Sequence, residues 1–374
     1  MDREYQICTR CIMDTTDPEI EFDSAGVCNR CTESLERIKK QLLPLKEREE
    51  ALFALAEIIK SEGKGKDYDC IIGVSGGVDS TYTAYHVKKL GLRPLAVHFD
   101  NGWDSELAVS NIKNTLDKLD IELYTYVVDW EEFRDLQLSF LKASVANCEI
   151  PTDHGITAIL FKLANKFKTR FILSGSNLET ESIMPNSWGH YNQDLKHIKA
   201  VHKRFGSTKI KSFPTMSLID YLYFVMVKKV RQIPFLNYVE YNKDNAKRFI
   251  EKELDWRDYG GKHFESVYTR YFQGYYLPTK FGFDKRIAHL SSLIIADQMT
   301  RDEALIELEK PAYQEEMLRH DKQFVAKKFG MSIEEFEKLV HAPTKMHTDY
   351  PSNYFLFHKM KKYKNIFRKI ATSA

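Results

Sequence analysis

No stretch of the 374-residue chain is long and apolar enough to cross a bilayer. The most apolar long window, Met216–Val230, carries Asp220, Lys228 and Lys229 and is expected to form a buried helix. The opening residues, MDREYQICTR, lack the apolar core of a leader, so the sequence predicts a cytoplasmic chain with no membrane partner. Charge of one sign is not in excess: 55 Lys+Arg face 53 Asp+Glu, a net charge of +2. That balance argues against a nucleic-acid scaffold working through bulk charge, and no nucleic-acid partner is expected. Intrinsic disorder is excluded by 43% hydrophobic against 29% charged residues. Neither GxxxxGK[ST] nor GxGxxG occurs, which removes the commonest ATPase and dinucleotide fingerprints. There is no internal repeat and no low-complexity tract.

Cysteine is scarce, with six residues, yet four of them pair by spacing: Cys8-Thr-Arg-Cys11 and Cys28-Asn-Arg-Cys31. Two CxxC knuckles separated by sixteen residues match the zinc-ribbon pattern. Each knuckle brings two thiolates to one edge of a tetrahedron, and two knuckles close a four-sulfur Zn²⁺ site. The alternative is a pair of disulfides or redox pairs. A cytosolic chain disfavours disulfides, and no thioredoxin-like βαβ pattern surrounds the motif. With all four positions filled by cysteine, such a zinc is structural, with no open position for catalysis. Asp23-Ser-Ala-Gly26 supplies a turn between the knuckles.

A charged, helix-favouring stretch from Glu33 to Lys60 follows. Pro44 interrupts it, and Gly63-Lys-Gly-Lys66 ends it. From Tyr68 the texture is α/β. Strands are expected over Asp69–Val74, Pro94–Phe99, Glu122–Val128 and Arg170–Ser174. Helices are expected over Asp79–Leu90, Ser105–Leu119, Trp130–Ala146 and Gly155–Phe167. Alternation of this kind implies a parallel sheet with flanking helices, whose ligands bind beyond the C-terminal strand ends. After about Gly206 the strand signal disappears. The patterns over Ser217–Val230, Lys243–Leu254, Phe264–Tyr276, Asp284–Met299, Arg301–Glu309, Tyr313–Phe329 and Ile333–Val340 all read as helices.

The strongest chemical motif is Ser75-Gly76-Gly77-Val78-Asp79-Ser80, between the first expected strand and helix. Two glycines let backbone N–H groups approach phosphate oxygens closely, and the helix N-terminus adds its positive end. Ser75 and Ser80 can donate hydroxyl hydrogen bonds, and Asp79 can hold Mg²⁺ bridging phosphates. The bland reading is a Gly-Gly turn with an Asp-Ser helix cap.

SGGVDS after a buried strand resembles the PP-loop of the ATP pyrophosphatase superfamily, a Rossmann-like α/β fold. Its members cleave ATP between the α and β phosphates, attach AMP to a carbonyl oxygen, and let a nucleophile displace the AMP. The resemblance implies ATP as co-substrate and Mg²⁺ as cofactor, and makes Asp79 catalytic. It also places His98 and Asp100, in Val97–Trp103, at the adenosine, and Gly175 and Asn177 on the loop that closes on the nucleotide.

The resemblance narrows with three further segments. These are the opening Cys8-Thr-Arg-Cys-Ile-Met-Asp-Thr-Thr16, the run Trp256-Arg-Asp-Tyr-Gly-Gly-Lys-His-Phe-Glu-Ser266, and Lys280-Phe-Gly-Phe-Asp-Lys-Arg-Ile-Ala-His-Leu-Ser291. With the PP-loop, and in this order, they resemble the N-acetyl sugar amidotransferases of the WbpG and PseA group, over essentially the whole chain. That resemblance implies conversion of an acetamido group on a UDP-N-acetyl sugar to an acetamidino group, in bacterial surface-polysaccharide (LPS O-antigen) biosynthesis. It also implies ammonia delivered by a separate glutaminase with a cyclase-like channel subunit. The cysteines agree, because Cys70 lies in a strand and Cys148 has no nucleophile-elbow glycines around it. The expected division is a zinc ribbon at 1–40, a helical linker at 41–66, the PP-loop domain at 67–205 and a helical substrate or partner domain at 206–374.

Several residues keep two readings. Asp153 and His154 are expected on a loop before a helix, as an N-cap and surface histidine or as substrate-binding or ammonia-site groups at the sheet's rim. Trp188-Gly-His-Tyr191 is a stacking element for sugar or uracil, or an aromatic helix start. Lys262 and His263, with Glu265, follow a Gly-Gly hinge and could form a lid bearing catalytic groups. Lys280, Lys285 and Arg286 form a cationic cluster, either for the phosphates of the substrate, with Lys285 catalytic, or as a solvated helix start. Lys359–Lys369 reads as a solvated face or a partner-binding helix. Two rival functions stand beside the amidotransferase: a tRNA-thiolating PP-loop enzyme, and a non-catalytic module with a vestigial nucleotide fold.

Overall fold

A computed structural model describes residues 4–356 apart from His190 and Lys262. The chain opens with the cysteine ribbon, then α1 (Asn29–Gln41) and α2 (Leu45–Gly63), broken at Pro44 as the sequence predicts. The α/β unit follows: β1 (Cys70–Gly73), α3 (Val78–Lys89), β2 (Pro94–Asp100), α4 (Glu106–Leu119), β3 (Glu122–Val127), α5 (Trp130–Ala143), α6 (Ile150–Lys166) and β4 (Phe171–Ser174). Gly91, at φ +74°, ends α3 with its N–H on the Lys88 carbonyl. Ser105 and Asp129 cap α4 and α5 by accepting from backbone N–H groups three residues on.

Short helices α7 (Leu178–Glu181) and α8 (Asn186–Gly189) lead to α9 (Leu195–Phe205), then α10 (Leu218–Leu222), which runs into a π-helical turn over Tyr223–Val227. The chain then returns to the sheet as β5 (Arg231–Pro234), pairing parallel to β4 with Phe171 opposite Arg231. This fifth strand corrects the expectation of helices alone after Gly206. Four residues ending in proline carry no readable alternation, and only the free edge of β4 reveals the strand. The remainder is helical: α11 (Lys243–Leu254), α12 (Val267–Tyr271) continued by a π turn over Phe272–Tyr276, α13 (Leu277–Phe281), α14 (Lys285–Ile295), α15 (Arg301–Glu309), α16 (Glu315–Phe329) and α17 (Ile333–Val340).

The sheet is parallel throughout, in the order β3-β2-β1-β4-β5. The two-residue period of the strands divides the core in two. Ile71, Val97, Phe99 and Ile172 face a core shared with α5, α6 and the C-terminal helices. Cys70, Ile72, Ala96 and Leu173 face a second core with α2, α3 and α4. The chain leaves β1 for β2 and β3 on one side, then returns to β4 on the other. A crevice therefore opens between the C-terminal ends of β1 and β4, where open α/β sheets bind ligands.

Met216–Val230 is not the buried helix its composition predicts. Ile219 and Met226 are 79% and 70% exposed, while Phe224 of the same turn is buried. Among the described residues, no helix is long and apolar enough to cross a membrane.

Candidate active site

The SGGVDS loop sits in that crevice. Ser75 and Ser80 close it: the Ser75 N–H donates to Ser80 Oγ at 3.3 Å, Gly77 N–H donates to Ser75 Oγ at 3.3 Å, and Ser80 Oγ donates to the Gly77 carbonyl at 3.1 Å. Gly77 is the N-cap of α3 and supplies no side-chain cap, so the first-turn N–H groups at Val78, Asp79 and Ser80 face outward. Gly76 has φ +78°, and a Cβ there would stand 2.7 Å from the Ala108 carbonyl oxygen. Across the crevice, a Cβ on Gly175 would fall 2.8 Å from the Asp79 carbonyl carbon. The loop is thus a cradle of bare backbone at a helix N-terminus, which fits phosphate chemistry.

Asp79 accepts a hydrogen bond from the Tyr241 hydroxyl. Burial, and then the Asp79 charge, raise the Tyr241 phenol well above its ordinary range, so it stays a donor. His98 of β2 places Nδ1 3.2 Å from the Val74 carbonyl and Nε2 3.3 Å from Asp104 Oδ2. Burial works against its charge, but the Asp104 hydrogen bond and the nearby carboxylates outweigh that and raise its pKa. Asp100, at the end of β2, accepts from Gly102 N–H at 2.9 Å. Asn177 is near the crevice but spends its carboxamide locally, accepting from Thr180 N–H as the cap of α7 and donating to the Gly175 carbonyl.

The Trp256–Ser266 run covers the loop. Trp256 Nε1 and the Tyr259 hydroxyl both donate to the Gly76 carbonyl, at 2.7 and 3.0 Å. Asn111 of α4 ties down Arg257 through its backbone N–H and carbonyl. Downstream, Ser105 N–H donates to the Glu265 carbonyl and Val267 N–H to that of Trp103. Glu265 Oε1 lies 3.5 Å from where a Gly77 Cβ would stand, and 3.6 Å from His263 Nδ1. His263, at φ +65°, sets its ring 5.8 Å from that of His289. Lys262 lies outside the described residues.

Beyond His263 is a group of charges that sequence reading found only in part. Glu149, the N-cap residue of α6, accepts from Thr269 Oγ1 of α12. Asp153 is one turn on, and Lys285 at the start of α14 and His263 act electrostatically on both carboxylates. Burial, then the Asp153 charge, push Glu149 up to about 7. Burial raises Asp153 too. The sequence signal for Glu149 is its four-residue spacing from Asp153, two like charges on one helix face.

Other expectations are corrected. Asp153 and His154 are inside α6, because Pro151 in its first turn starts the helix early. His154 is fully buried: Nδ1 meets the Asn192 carbonyl at 3.0 Å, and Nε2 accepts from Met216 N–H at 3.0 Å. Burial lowers its pKa to about 4, so it is a neutral core group rather than a substrate ligand. Trp188 is buried and stacks on Phe283 at 4.5 Å, so it offers no face to a ligand. His190 and Lys359–Lys369 lie outside the described residues. Lys280 gives its ammonium to the carbonyls of Leu339, Val340 and Ala342 at the end of α17. Arg286 bonds Asp284 and the carbonyls of Leu308 and Lys310. Both read as substrate ligands in sequence, and both serve helix ends instead. Lys280→Met is expected to cost about 1 kcal/mol of stability by leaving the partly buried carbonyls at the end of α17 without their donor. It should leave ATP binding unchanged; thermal melts with and without ATP check both.

The four ribbon cysteines are buried, and their sulfurs lie within 4.8 Å of one another. Cys8 and Cys31 Sγ are 3.8 Å apart, as are Cys11 and Cys28. A tetrahedron with Zn–S of about 2.3 Å has an edge of about 3.8 Å, so the set fits one Zn²⁺ and leaves no disulfide. Backbone N–H groups of Arg10, Met13 and Cys28 donate to the sulfurs, as thiolates need. The other two cysteines are inert. Cys70 is buried in β1, and burial raises its thiol far above the ordinary range. Cys148 is pushed up to about 12 by burial, and its Sγ lies within reach of the Phe140 and Val145 carbonyls and the Tyr276 hydroxyl.

The chain is similar to several known proteins. An uncharacterized protein of Methanocaldococcus jannaschii is 22% identical over 315 residues, covering 83% of this chain and 95% of that protein. Among solved structures, NMN synthetase from Francisella tularensis aligns at a TM-score of 0.30 and 14% identity, over 59% of this chain and 90% of that one. The NH3-dependent NAD synthetase from Campylobacter jejuni aligns at 0.30 and 14%, over 57% and 86%. Both alignments are too loose to carry a function. Residues 265–364 match the family model described as LPS biosynthesis protein WbpG-like, C-terminal domain.

Proposed function

We propose that the chain is an ATP-dependent, AMP-forming ligase that converts the acetamido group of a UDP-linked N-acetyl sugar to an acetamidino group, in bacterial surface-polysaccharide assembly. The observation that carries this reading is the cradle itself: bare backbone at Gly76 and Gly77, capped by Trp256 and Tyr259 from the segment leading into the WbpG-like domain. An amide carbon resists ammonia because its oxygen leaves poorly. In the proposed reaction that oxygen attacks the α-phosphorus of ATP, pyrophosphate departs, and the oxygen becomes part of a good leaving group, AMP. Ammonia then forms the C–N bond, and the C–O bond breaks to release AMP. The loop amides and the Ser75 and Ser80 hydroxyls would hold the departing pyrophosphate. Mg²⁺, when bound, would neutralise phosphate charge, and Asp79 would hold it.

The inert state of Cys70 and Cys148 supports two parts of this reading. Thiolation of tRNA calls for an accessible sulfur carrier, and a built-in glutaminase calls for a nucleophilic thiolate. Neither cysteine qualifies, so we place ammonia release on a separate glutaminase acting through a channel subunit. The isolated chain is expected to form pyrophosphate from ATP with a UDP-N-acetyl sugar and ammonium chloride. That rate should climb with pH toward about 9, as the NH₃ fraction grows. Glutamine alone should give no turnover. Pyrophosphate release driven by tRNA instead of the sugar, or robust glutamine use by the chain alone, would overturn the proposal.

A further inference from the structure

A cleft of about 660 Å³, within the size range of small-molecule sites, lies between α9 and the segment 206–215 that follows it. Lys199 and Lys203 line it from α9, and Lys209 and Lys211 from the segment. Among the described residues no aspartate or glutamate lines the cleft, and none of the four lysines has an ion-pair partner. Lys199 and Lys203 are one helical turn apart, where like charges repel, and the segment adds two more of the same sign. A solvated lysine face relaxes such repulsion by spreading out; here the backbone brings both pairs to one place. Two buried carboxylates of α5 hold it there. Asp135 accepts from the N–H groups of Ser207 and Thr208, and Glu132 from those of Lys211, Ser212 and Phe213. His202 Nε2 meets Asp135 at 3.0 Å, and a Cβ on Gly206 would stand 2.8 Å from the same carboxylate, so only glycine lets the chain come so close. The lysine-bearing segment is therefore fixed before any ligand arrives. It is also anchored on the ligand side of the sheet. Tyr126, near the C-terminal end of β3, donates to the Ser212 carbonyl at 2.7 Å, and Phe213 and Phe99 of β2 close on Gly155 together. From β3 to β1, which carries the PP-loop, is two strand spacings, roughly 10 Å.

We infer that this cleft binds a nucleoside diphosphate, with Lys199, Lys203, Lys209 and Lys211 around the two phosphates and the apolar wall of Ile198, Ile210 and Phe213 beside the base. Adjacent phosphates concentrate charge and acceptor oxygens on a few atoms, and convergent ammonium groups match that. The hydroxyls of Ser207, Thr208 and Thr215 in the same walls supply neutral donors for phosphate and ribose. An acidic peptide strings its carboxylates along an extended chain and suits a flatter surface. On the reaction proposed above, on which this part rests, the cleft takes the UDP end of the substrate and leaves the acetamido sugar to extend along the strand ends to the PP-loop. The cations expected for those phosphates at Lys280 and Arg286 are spent on helix ends, and the α9 lysines take their place.

Isothermal titration of the full chain with UDP, in the absence of sugar and ATP, tests the cleft. UDP is expected to bind at least about tenfold more tightly than uridine, and the gap should narrow in about 1 M sodium chloride, where charges are screened beyond roughly 3 Å. Lys209→Gln combined with Lys211→Gln is expected to weaken UDP at least about tenfold, as is Lys199→Gln with Lys203→Gln, with Mg-ATP affinity unmoved in both. All four lysines are exposed, so the fold is not at stake, and circular dichroism should be native. Equal affinity for UDP and uridine, or UDP affinity unchanged in both double variants, would overturn the site. So would tight binding of a polyglutamate peptide with none of UDP. A second arm follows AMP formation from Mg-ATP, UDP-N-acetylglucosamine and ammonium chloride. Lysine-dependent UDP binding without AMP formation would keep the cleft and reject this sugar reaction. AMP formation whose KM for the sugar nucleotide is the same in wild type and variants would do the reverse.

Discussion

Gly76→Ala is expected to lower ATP-dependent pyrophosphate formation at least a hundredfold while leaving the protein folded. Three constraints meet at this residue. Its φ of +78° lies where an L-residue pays about 1–2 kcal/mol, a cost the fold can absorb. Its Cβ would stand 2.7 Å from the Ala108 carbonyl oxygen, a backbone atom of α4 that cannot swing aside. Its own carbonyl is held by Trp256 Nε1 at 2.7 Å and by the Tyr259 hydroxyl at 3.0 Å. The loop must shift to relieve the contact with Ala108, and any shift loosens the covering segment or the line of N–H groups at the start of α3. Displacement of a phosphate cradle by even about 1 Å costs on the order of a hundredfold in rate. Circular dichroism should be native, and isothermal titration with Mg-ATP should show weakened binding. A variant with wild-type pyrophosphate release would remove the loop from the nucleotide site.

The same region shows how far the sequence can be read. Four of the five strands follow from period and composition, because each is a short β-rich run between turn residues. The SGGVDS loop between β1 and α3 and the clustered cysteine knuckles are legible for a related reason: each is set by spacing along the chain. What escaped is what only the folded chain brings together. Glu149, Thr269 and Lys285 come from three helices, and no local pattern joins them. Lys280 and Arg286 mislead in the opposite sense. A basic cluster beside a glycine resembles a phosphate site, but carbonyls at the ends of helices compete for the same cations, and here they win. The apolar window at Met216–Val230 misleads because its composition does not say which face finds a neighbour. Phe224 does, and Met226 does not.

Removing zinc is expected to unfold the ribbon and to loosen α14. The ribbon core consists of Cys8, Cys11, Ile12, Met13, Ile20, Cys28 and Cys31, each no more than 1% exposed. Without metal the four thiolates would have no counter-charge and so little apolar area would not hold the turns together. Structural zinc sites contribute on the order of 10–16 kcal/mol, comparable to the whole stability of a domain, so Asp17–Arg30 at 2.7 Å cannot substitute for it. The ribbon is not an isolated appendage. Arg301 of α15 donates to the carbonyls of Cys8 and Cys11, and Ile12 N–H donates to Ser291 Oγ of α14. The same core cluster takes in Phe283, Ile287, Ala288 and Leu290 around α14, whose first residue is Lys285. Elemental analysis of fresh protein should give one zinc per chain. Chelation, or Cys11→Ser, should make the first 41 residues the earliest site of protease cutting. The SGGVDS loop should outlast the ribbon, because it is held between β1 and α3 on the sheet. A zinc-free chain with an unchanged melting temperature would reject the metal's structural role.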